Sequence, residues 1–355
     1  MVYNNNYKKY ERNFNMKRIL FTAPCKAELV EAGRPAVTPG CAVVRVLVSS
    51  ISSGTERANV SGEPTVSYDV SLEEATKHIN FPRAGGYSTC GIVEEVGEGK
   101  TDLKPGDRVA MSWTTHNQYV SVPFNNIYKL PDSISDNAGA LVHICTFPAA
   151  AVRKCRTEFG ESAIVMGLGV LGLIAVKLLR VAGAVPIIAV DPNPERRAQA
   201  LKFGADFALD PFVEGFTSKV KKLTNGGAKV AIEVTGNGKA LDQVLDCMAR
   251  FGRVALLGCT RHSDFTIDYY RKVHGPGITL VGAHTNARPE HESSIGWWTQ
   301  RDDAQAIIKL VSMGRLNLDE LVEDIRSPEE APEVYARLCA EKSFPVTQFD
   351  WRRLK

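Results

Sequence analysis

The chain lacks any long hydrophobic run. No apolar stretch approaches the roughly twenty residues that a membrane-spanning helix needs, so the sequence predicts no membrane partner. The first residues are polar and rich in Asn and Tyr, without the apolar core of a secretory signal. We therefore expect a cytoplasmic protein in which residues 1–15 form a flexible extension.

Charge and cysteine spacing exclude further classes. The formal net charge is only +3, and no Lys/Arg cluster with interleaved aromatic residues occurs, which argues against a nucleic-acid partner. The 8 cysteines are scattered without a C-x-x-C pair, which argues against a disulfide framework and a thiolate zinc knuckle. At 355 residues, 44% of them hydrophobic, the chain is long enough for two domains with substantial cores.

The most specific pattern present is a short apolar run that breaks into G-x-G-x-x-G. Ser162 to Met166 predicts a buried strand. The turn and the first helical residues after it are Gly167, Gly169, Val170, Leu171 and Gly172. The first glycine permits the tight turn, the second lets a pyrophosphate approach the backbone, and the third lets the helix pack on the strand. The N-terminus of the helix offers N–H groups to phosphates, so the pattern predicts a dinucleotide site.

An acidic residue follows at the expected distance. A second apolar run, Val185 to Val190, predicts the next parallel strand, and Asp191 stands at its carboxyl end. A carboxylate there accepts hydrogen bonds from the ribose hydroxyls of NAD and repels a 2′-phosphate. Arg196 and Arg197 come soon after, and arginines at this point can accommodate NADP. We predict NAD as the cofactor and keep NADP as the alternative.

The pattern of predicted secondary structure divides the chain into two parts. From Lys17 to about Ile127, short strands are bounded by Gly and Pro. From about Glu161, strands alternate with helices, which is typical of a doubly wound parallel sheet with right-handed crossovers. The sequence therefore predicts an α/β protein with a β-rich first part and a Rossmann-type second part.

This organisation resembles the medium-chain dehydrogenase/reductase superfamily of zinc alcohol dehydrogenases, polyol dehydrogenases and zinc-free quinone reductases. The resemblance runs from about Met16 to Lys355. It rests on VEEVGEG at 93–99, KPGDRV at 104–109, GLGVLG at 167–172, VDPNPERR at 190–197 and GRL at 314–316. It implies a GroES-like β-barrel catalytic domain over residues 16–146 and 285–355, and a Rossmann NAD-binding domain over residues 147–284.

The chain departs from this family at the zinc ligands. Where zinc-dependent members have G-I-C-G-[ST]-D, residues 51–56 read ISSGTE, with serine at the cysteine position. The family's G-H-E segment reads Gly86-Tyr87-Ser88, with tyrosine at the histidine position, and the third ligand position aligns with His143. The lobe with four cysteines is missing, because Arg108-Val109 passes straight to Gln118-Tyr119-Val120.

A zinc site needs three protein ligands plus water or substrate, and one of the family's three survives here. We therefore expect no structural zinc and no catalytic zinc of the usual type. A rearranged site built on His143 and Glu56, with His116 or Cys90 as a further ligand, is the alternative.

Without zinc, side chains must handle the proton of the alcohol. Thr55 matches the family's proton-relay hydroxyl, and Glu56 could act as a general base. Tyr87 could donate to a carbonyl, and His143 could act as acid and base. A structural interpretation stays open for each of the four. Thr55 could be a plain hydroxyl at a strand end, and Glu56 could form an ion pair. Tyr87 could pack in the wall of the cleft, and His143 could be a hydrogen-bonded core histidine.

Other residues are expected around the cofactor and the substrate. Thr235 and Gly258 follow the fourth and fifth predicted strands of the Rossmann part. His284 follows the sixth, at the nicotinamide edge, where we expect its backbone to matter more than its ring. The candidate substrate residues are His116, Trp298 and Arg301. The alternatives are a turn residue for His116, and a surface loop or subunit contact for the other two.

The sequence thus predicts an NAD(H)-dependent oxidoreductase that interconverts a secondary alcohol and a ketone on a polyol- or sugar-like substrate. The resemblance suggests a homodimer or homotetramer. The first alternative is a zinc-free NADPH-dependent quinone or enone reductase. An alternative of another class is a non-catalytic dinucleotide-binding sensor or subunit. Fold analogy alone does not assign the chemistry.

Overall fold

The computed structural model describes residues 15–63, 73–74, 80–260 and 265–355. The contacts between Cα atoms divide these residues into two compact units. Unit 1 holds the described residues up to His143 together with Val322–Lys355, and unit 2 holds those from Ile144 to Leu321. The expected flexible extension lies outside the described residues except for Asn15, which begins the first strand.

The strands alternate with helices in the second half of the chain, as the sequence predicts. The strands are β1 (Asn15–Ala23), β2 (Lys26–Gly33), β3 (Cys41–Ser50), β4 (Arg83–Ala84), β5 (Ser88–Val96), β6 (Arg108–Ser112), β7 (Tyr119–Pro123), β8 (Ile127–Lys129), β9 (Ala163–Met166), β10 (Ile187–Val190), β11 (Phe207–Leu209), β12 (Ala228–Glu233), β13 (Met248–Leu256), β14 (Thr279–Gly282), β15 (Asp324–Arg326) and β16 (Thr347–Asp350). The α-helices are α1 (Ser53–Ser61), α2 (Asp136–Lys154), α3 (Val170–Val181), α4 (Pro194–Lys202), α5 (Phe216–Leu223), α6 (Gly238–Asp246), α7 (Gln300–Ser312) and α8 (Ala331–Ala340).

Unit 1 is the β-rich, GroES-like part. A three-stranded sheet has the order β2-β1-β4, and a seven-stranded sheet has the order β15-β16-β3-β5-β6-β8 with β7 also on β3. Strand β16, from the end of the chain, pairs antiparallel with β3, where Gln348 lies opposite Ser50. Alternating apolar residues of these strands, such as Phe21 and Val44, bury one core together with Tyr335 and Phe349.

Unit 2 contains a six-stranded sheet with the order β11-β10-β9-β12-β13-β14, and each of its pairings is parallel. The chain passes from β9 outward to β10 and β11, then returns to place β12 on the other side of β9. This reversal is the switch point of a doubly wound sheet, where ligands bind at the carboxyl ends of the strands. The predicted α/β fold class, with a GroES-like and a Rossmann-type part, is confirmed.

The boundary between the units differs from the expected one. Residues 285–321, assigned by the sequence to the barrel, belong to unit 2. The contacts of helix α7 explain this, because its buried Asp303 accepts a hydrogen bond from Arg153 in α2, with Nε and Oδ1 3.0 Å apart. No helix in the described part of the chain is long and apolar enough to cross a membrane.

One pair of cysteines is bonded, although the sequence predicts no disulfide framework. Cys25, in the turn between β1 and β2, joins Cys339 of α8 across a sequence separation of 314 residues. The two cysteines are close together in unit 1 but far apart in the sequence. Their spacing along the chain therefore does not indicate the pairing. Of the other six, four are buried as expected of small apolar residues: Cys90, Cys145, Cys155 and Cys247.

Candidate functional site

The glycine-rich turn after β9 is shaped by close backbone contacts. Gly167 has φ 95°, a conformation that favours glycine, and a Cβ there would lie 2.8 Å from Cγ2 of Thr235. A Cβ on Gly172 would lie 1.9 Å from the carbonyl oxygen of Gly167. A Cβ on Gly169 would meet nothing within 4 Å. The first and third glycines are therefore needed by the fold, whereas the second leaves open space above the turn.

The same turn begins helix α3. Gly169 is its N-cap and offers no side chain to cap the backbone N–H groups of the first turn. Val170 and Leu171 are the first helical residues, so their N–H groups lie at the positive end of the helix dipole. The open space at Gly169 and these donors together fit a pyrophosphate.

Asp191 lies beside this turn, as the sequence predicts. Its Oδ2 accepts from the backbone N–H of Leu168 at 2.8 Å, and its Oδ1 accepts from that of Asn193 at 2.8 Å. Each carboxylate oxygen can accept more than one hydrogen bond. The carboxylate is therefore held in place and still able to accept from ribose hydroxyls.

The two arginines near Asp191 are engaged within unit 2. Arg196 is buried, and its Nη1 donates to Oε1 of Gln199 at 2.8 Å. Nη1 of Arg197 donates to the carbonyl oxygen of Asp191 at 2.7 Å and lies 3.4 Å from Oδ2 of Asp210. Arg196 is thus turned toward its own helix, although the sequence places it among the cofactor residues.

The turns after β12 and β13 meet at the same edge of the sheet. Buried Glu233 accepts from the backbone N–H of Thr235 at 2.7 Å and from the hydroxyl of Thr235, and burial raises the pKa of Glu233. A Cβ on Gly258 would lie 2.2 Å from the backbone nitrogen of Gly236. Thr235 and Gly258 are therefore brought together at the carboxyl ends of the strands, next to Gly167.

The segment after β14 is anchored by Lys154, a residue that the sequence did not single out. Its Nζ donates to the carbonyl oxygen of Gly282 at 3.0 Å and to that of Ala287. Burial, with the nearby Arg288, lowers the pKa of Lys154 to about 8. His284 lies inside this segment, and burial, followed by the charge of Lys154, lowers its pKa.

Trp298 and Arg301, expected at the substrate, also lie in unit 2. The guanidinium of Arg153 stacks on the ring of Trp298, 3.4 Å from its centroid, so one face of the indole is occupied by a side chain of the same unit. Arg301 is exposed in the first turn of α7. Their roles in substrate binding stay predictions.

Unit 1 brings Tyr87, Trp113 and His143 into mutual contact, and we call them the aromatic trio. Ser88 begins β5 and pairs with Ser112 at the end of β6, so Tyr87 and Trp113 stand side by side just beyond that pair. The ring centroids lie 4.6 Å apart for Trp113 and His143, and 5.5 Å apart for Tyr87 and His143.

The trio combines a buried imidazole with two more exposed rings. His143 is 1% exposed, Tyr87 is half-buried and Trp113 is 43% exposed. Trp113 has φ 59°, which is unusual for so bulky a residue. Its backbone N–H donates to the backbone carbonyl oxygen of Tyr87 at 2.8 Å. Such backbone strain clusters at functional sites. The sequence did not single out Trp113, which ends the run KPGDRVAMSW that predicts a strand.

Glu56 and His116 lie in a buried network in unit 1, 1% and 0% exposed. Oε1 of Glu56 accepts from the N–H of Ser52 at 2.9 Å, and its Oε2 lies 3.0 Å from Nε2 of His116 and accepts from the hydroxyl of Tyr335. Burial, followed by the charge of Glu56, raises the pKa of Tyr335 well above its usual value, so the phenol keeps its proton.

The network continues on the other side of the imidazole. Nδ1 of His116 lies 2.8 Å from Oγ of Ser49, which accepts from Nε1 of Trp351 at 2.9 Å. Both ring nitrogens of His116 are therefore engaged, Nε2 by Glu56 and Nδ1 by Ser49. Neither residue has appreciable exposed surface, and the polar atoms of both are bonded within unit 1. This placement favours a structural role, and the catalytic role of Glu56 and the substrate role of His116 stay predictions.

The positions of the family's zinc ligands carry Ser53, Tyr87 and His143, which are two hydroxyls and one imidazole. No group of three or more His, Cys, Asp or Glu that could hold a metal ion occurs among the described residues. The alternative ligand Cys90 contacts Asp136, with Sγ 3.8 Å from Oδ1. Thr55 is exposed in the first turn of α1 rather than at a strand end.

Comparison with known families agrees with this architecture. The model of the alcohol dehydrogenase GroES-like domain matches residues 42–157, and that of the zinc-binding dehydrogenases matches residues 170–299. The chain belongs to the zinc-type alcohol dehydrogenase-like, medium-chain dehydrogenase/reductase superfamily. It is an enzyme of this alcohol dehydrogenase class, whose members bind dinucleotides.

Similar proteins of this superfamily have named activities. An L-threonine 3-dehydrogenase of Pyrococcus horikoshii is 29% identical over 83% of this chain and 87% of its own length. A D-guloside 3-dehydrogenase of Escherichia coli is 27% identical over 90% of this chain and 95% of its own. The crystal structure of 2R,3R-butanediol dehydrogenase from Bacillus subtilis aligns with a TM-score of 0.77 and 26% identity, covering 94% of this chain and 99% of that one.

Proposed function

We propose that the protein is an NAD(H)-dependent dehydrogenase that interconverts a secondary alcohol and a ketone on a polyol- or sugar-like substrate, without catalytic zinc. The aromatic trio carries the proposal, because it occupies two of the three zinc-ligand positions and contains two groups that can donate protons. The relatives support the substrate class, since threonine, a guloside and butanediol all carry secondary hydroxyls.

The surroundings of Asp191 support NAD over NADP. The carboxylate is fixed beside the glycine turn, and a 2′-phosphate would meet its negative charge. Arg196 and Arg197, which could offset that charge, are bonded to Gln199 and to the carbonyl of Asp191. When bound, the nicotinamide supplies the centre that gives or takes the hydride.

The donor set does not fit zinc. Neutral hydroxyls of serine and tyrosine are not among the nitrogen, thiolate and carboxylate ligands that zinc prefers. Ser88, at the position of the family's glutamate, donates its hydroxyl to the carbonyl oxygen of Ala140 at 2.6 Å. The proposed reaction therefore relies on side chains and not on a metal.

Tyr87 is the group that we assign to the substrate oxygen. Its phenol would donate a hydrogen bond to the carbonyl oxygen and supply the proton that this oxygen takes up. With the hydride that a bound nicotinamide would supply, ketone, hydride and proton give the alcohol. His143, packed edge-on against this ring at 5.5 Å, holds the phenol in place, and the indole of Trp113 packs edge-on against the same imidazole at 4.6 Å.

Tyr87→Phe is expected to lower kcat about 10²-fold to 10³-fold, within the range of general acid catalysis, and to leave the Kd for NADH unchanged. Tyr119→Phe is the matched control. Tyr119 is also half-buried in unit 1 and packs under Arg34, 4.7 Å from its ring centroid, so its loss should not change kcat. Steady-state reduction of a panel of ketoses with NADH measures both variants.

The same panel separates the alternatives. Reduction of activated enones with NADPH, without any ketose reduction, would contradict the proposal in favour of a quinone or enone reductase. Tight binding of NADH without turnover of either panel would identify a dinucleotide sensor. An unchanged kcat in Tyr87→Phe would remove Tyr87 from the mechanism. The homodimer or homotetramer stays a prediction.

A further inference from the structure

A buried ammonium in unit 2 has no part in the chemistry assigned so far. Lys154, the last residue of α2, is 8% exposed. Its Nζ donates to the carbonyl oxygens of Gly282 and Ala287, and it lies 4.8 Å from the ring centroid of Trp297. Burying a lysine is costly unless polar partners compensate it, so these contacts must hold the ammonium firmly.

The charges around Lys154 show what its contacts achieve. Arg153 and Arg288 add two further cations, and the buried carboxylate of Asp303 lies 3.0 Å from Arg153 and 3.8 Å from Arg288. Burial, followed by the charge of the Lys154 ammonium, lowers the pKa of His284. Asp303 is thus closest to the arginines, whereas Lys154 is bonded to main-chain carbonyls. The contacts of Lys154 therefore fix the path of the backbone more than they neutralise its charge.

The fixed segment lies at a specific place on the sheet. A doubly wound sheet binds one half of a dinucleotide on each side of the switch point. Asp191 follows β10, so the adenosine half belongs to the side of β9, β10 and β11. The nicotinamide half then belongs to β12, β13 and β14. Residues 283–287 directly follow β14 at the carboxyl edge, and Lys154 bonds to Gly282 just before that segment and to Ala287 at its end.

We infer that Lys154 is a positioning residue for the nicotinamide half of the cofactor, because its ammonium fixes the segment 283–287 through the carbonyls of Gly282 and Ala287. The inference rests on the proposed function, since it presumes that NAD(H) binds. It concerns one half of the dinucleotide, so it makes a different prediction for ligands with and without the nicotinamide.

Lys154→Met is expected to raise the Kd for NADH about ten-fold and to change the Kd for ADP-ribose, which lacks the nicotinamide, by less than about two-fold. Isothermal titration of both ligands measures the two constants. Lys177→Met is the matched control, because Lys177 is equally buried in unit 2, pairs with Glu320 and lies 4.7 Å from the ring of Phe203. It should leave the ratio of the two constants unchanged.

Equal changes for both ligands, or no change in either, would overturn the inference. So would an altered ratio in Lys177→Met, which would show that any buried lysine of unit 2 matters in the same way. If Lys154→Met does not fold, Lys154→Arg is the second variant, because it keeps the charge but replaces the compact ammonium by a planar guanidinium. It should likewise raise the Kd for NADH and leave the Kd for ADP-ribose nearly unchanged. A wild-type protein that binds neither ligand would contradict the proposed function itself.

Discussion

Replacing Glu56 by alanine is expected to lower the free energy of unfolding of unit 1 by about 4 kcal/mol. The buried carboxylate accepts from Ser52 and Tyr335 and lies 3.0 Å from Nε2 of His116, so its removal leaves three buried polar groups without their partner. Each such group costs about 1–3 kcal/mol, and the space left by the side chain adds to the loss. Chemical denaturation measures the change.

Two further variants separate a structural from a catalytic Glu56. Glu31→Ala removes an exposed carboxylate from the same unit, and its effect should stay within about 0.5 kcal/mol. Glu56→Gln keeps the shape and an acceptor oxygen, so the folded variant should retain its turnover. A Glu56→Gln protein of normal stability that has lost its turnover would return Glu56 to the reaction and contradict the network's structural role.

Gly169→Ala is expected to raise the Kd for NADH about 100-fold while leaving the melting temperature nearly unchanged. A Cβ at this position meets nothing within 4 Å, so the folded protein accommodates the methyl group without strain. The methyl would nevertheless occupy the space that lets a pyrophosphate approach the first turn of α3. Titration with NADH and thermal melting, made on the same sample, test both parts.

The same substitution three residues later should have the opposite profile. A Cβ on Gly172 would lie 1.9 Å from the carbonyl oxygen of Gly167, so the helix must move away from the turn. Gly172→Ala should therefore destabilise unit 2 by about 2 kcal/mol, as overpacking does. Equal stability losses in both variants, or normal NADH binding by Gly169→Ala, would contradict the assignment of the turn.

The features that the sequence predicted are those carried by local pattern. The glycine spacing, the apolar strand before it and the acid after the next strand each report a backbone requirement that neighbouring residues satisfy. Gly167, Gly172 and Asp191 accordingly lie where they were expected. The aromatic trio was partly predicted, because Tyr87 and His143 align with positions that meet in the family.

The features that the sequence did not reveal depend on contacts between residues that are distant in the chain. The sequence offered Glu56 as a general base and gave no sign of its contact with Tyr335, because Tyr335 is 279 residues away. Nothing in the sequence indicated the role of Lys154. Its partners are backbone carbonyls more than a hundred residues later, and a backbone carbonyl does not depend on the residue type. The positive φ of Trp113 is a property of the turn, which the residue type alone does not reveal.

The metal content of active protein tests the central claim most directly. The measurement is elemental analysis of protein purified without an affinity tag or chelator, with turnover assayed before and after prolonged chelation. The zinc-free mechanism predicts far less than one zinc per chain and a turnover that chelation does not change, because Tyr87, held in place by His143, donates the proton to the substrate oxygen. About one zinc per chain, lost together with activity on chelation and restored by added zinc, would contradict it.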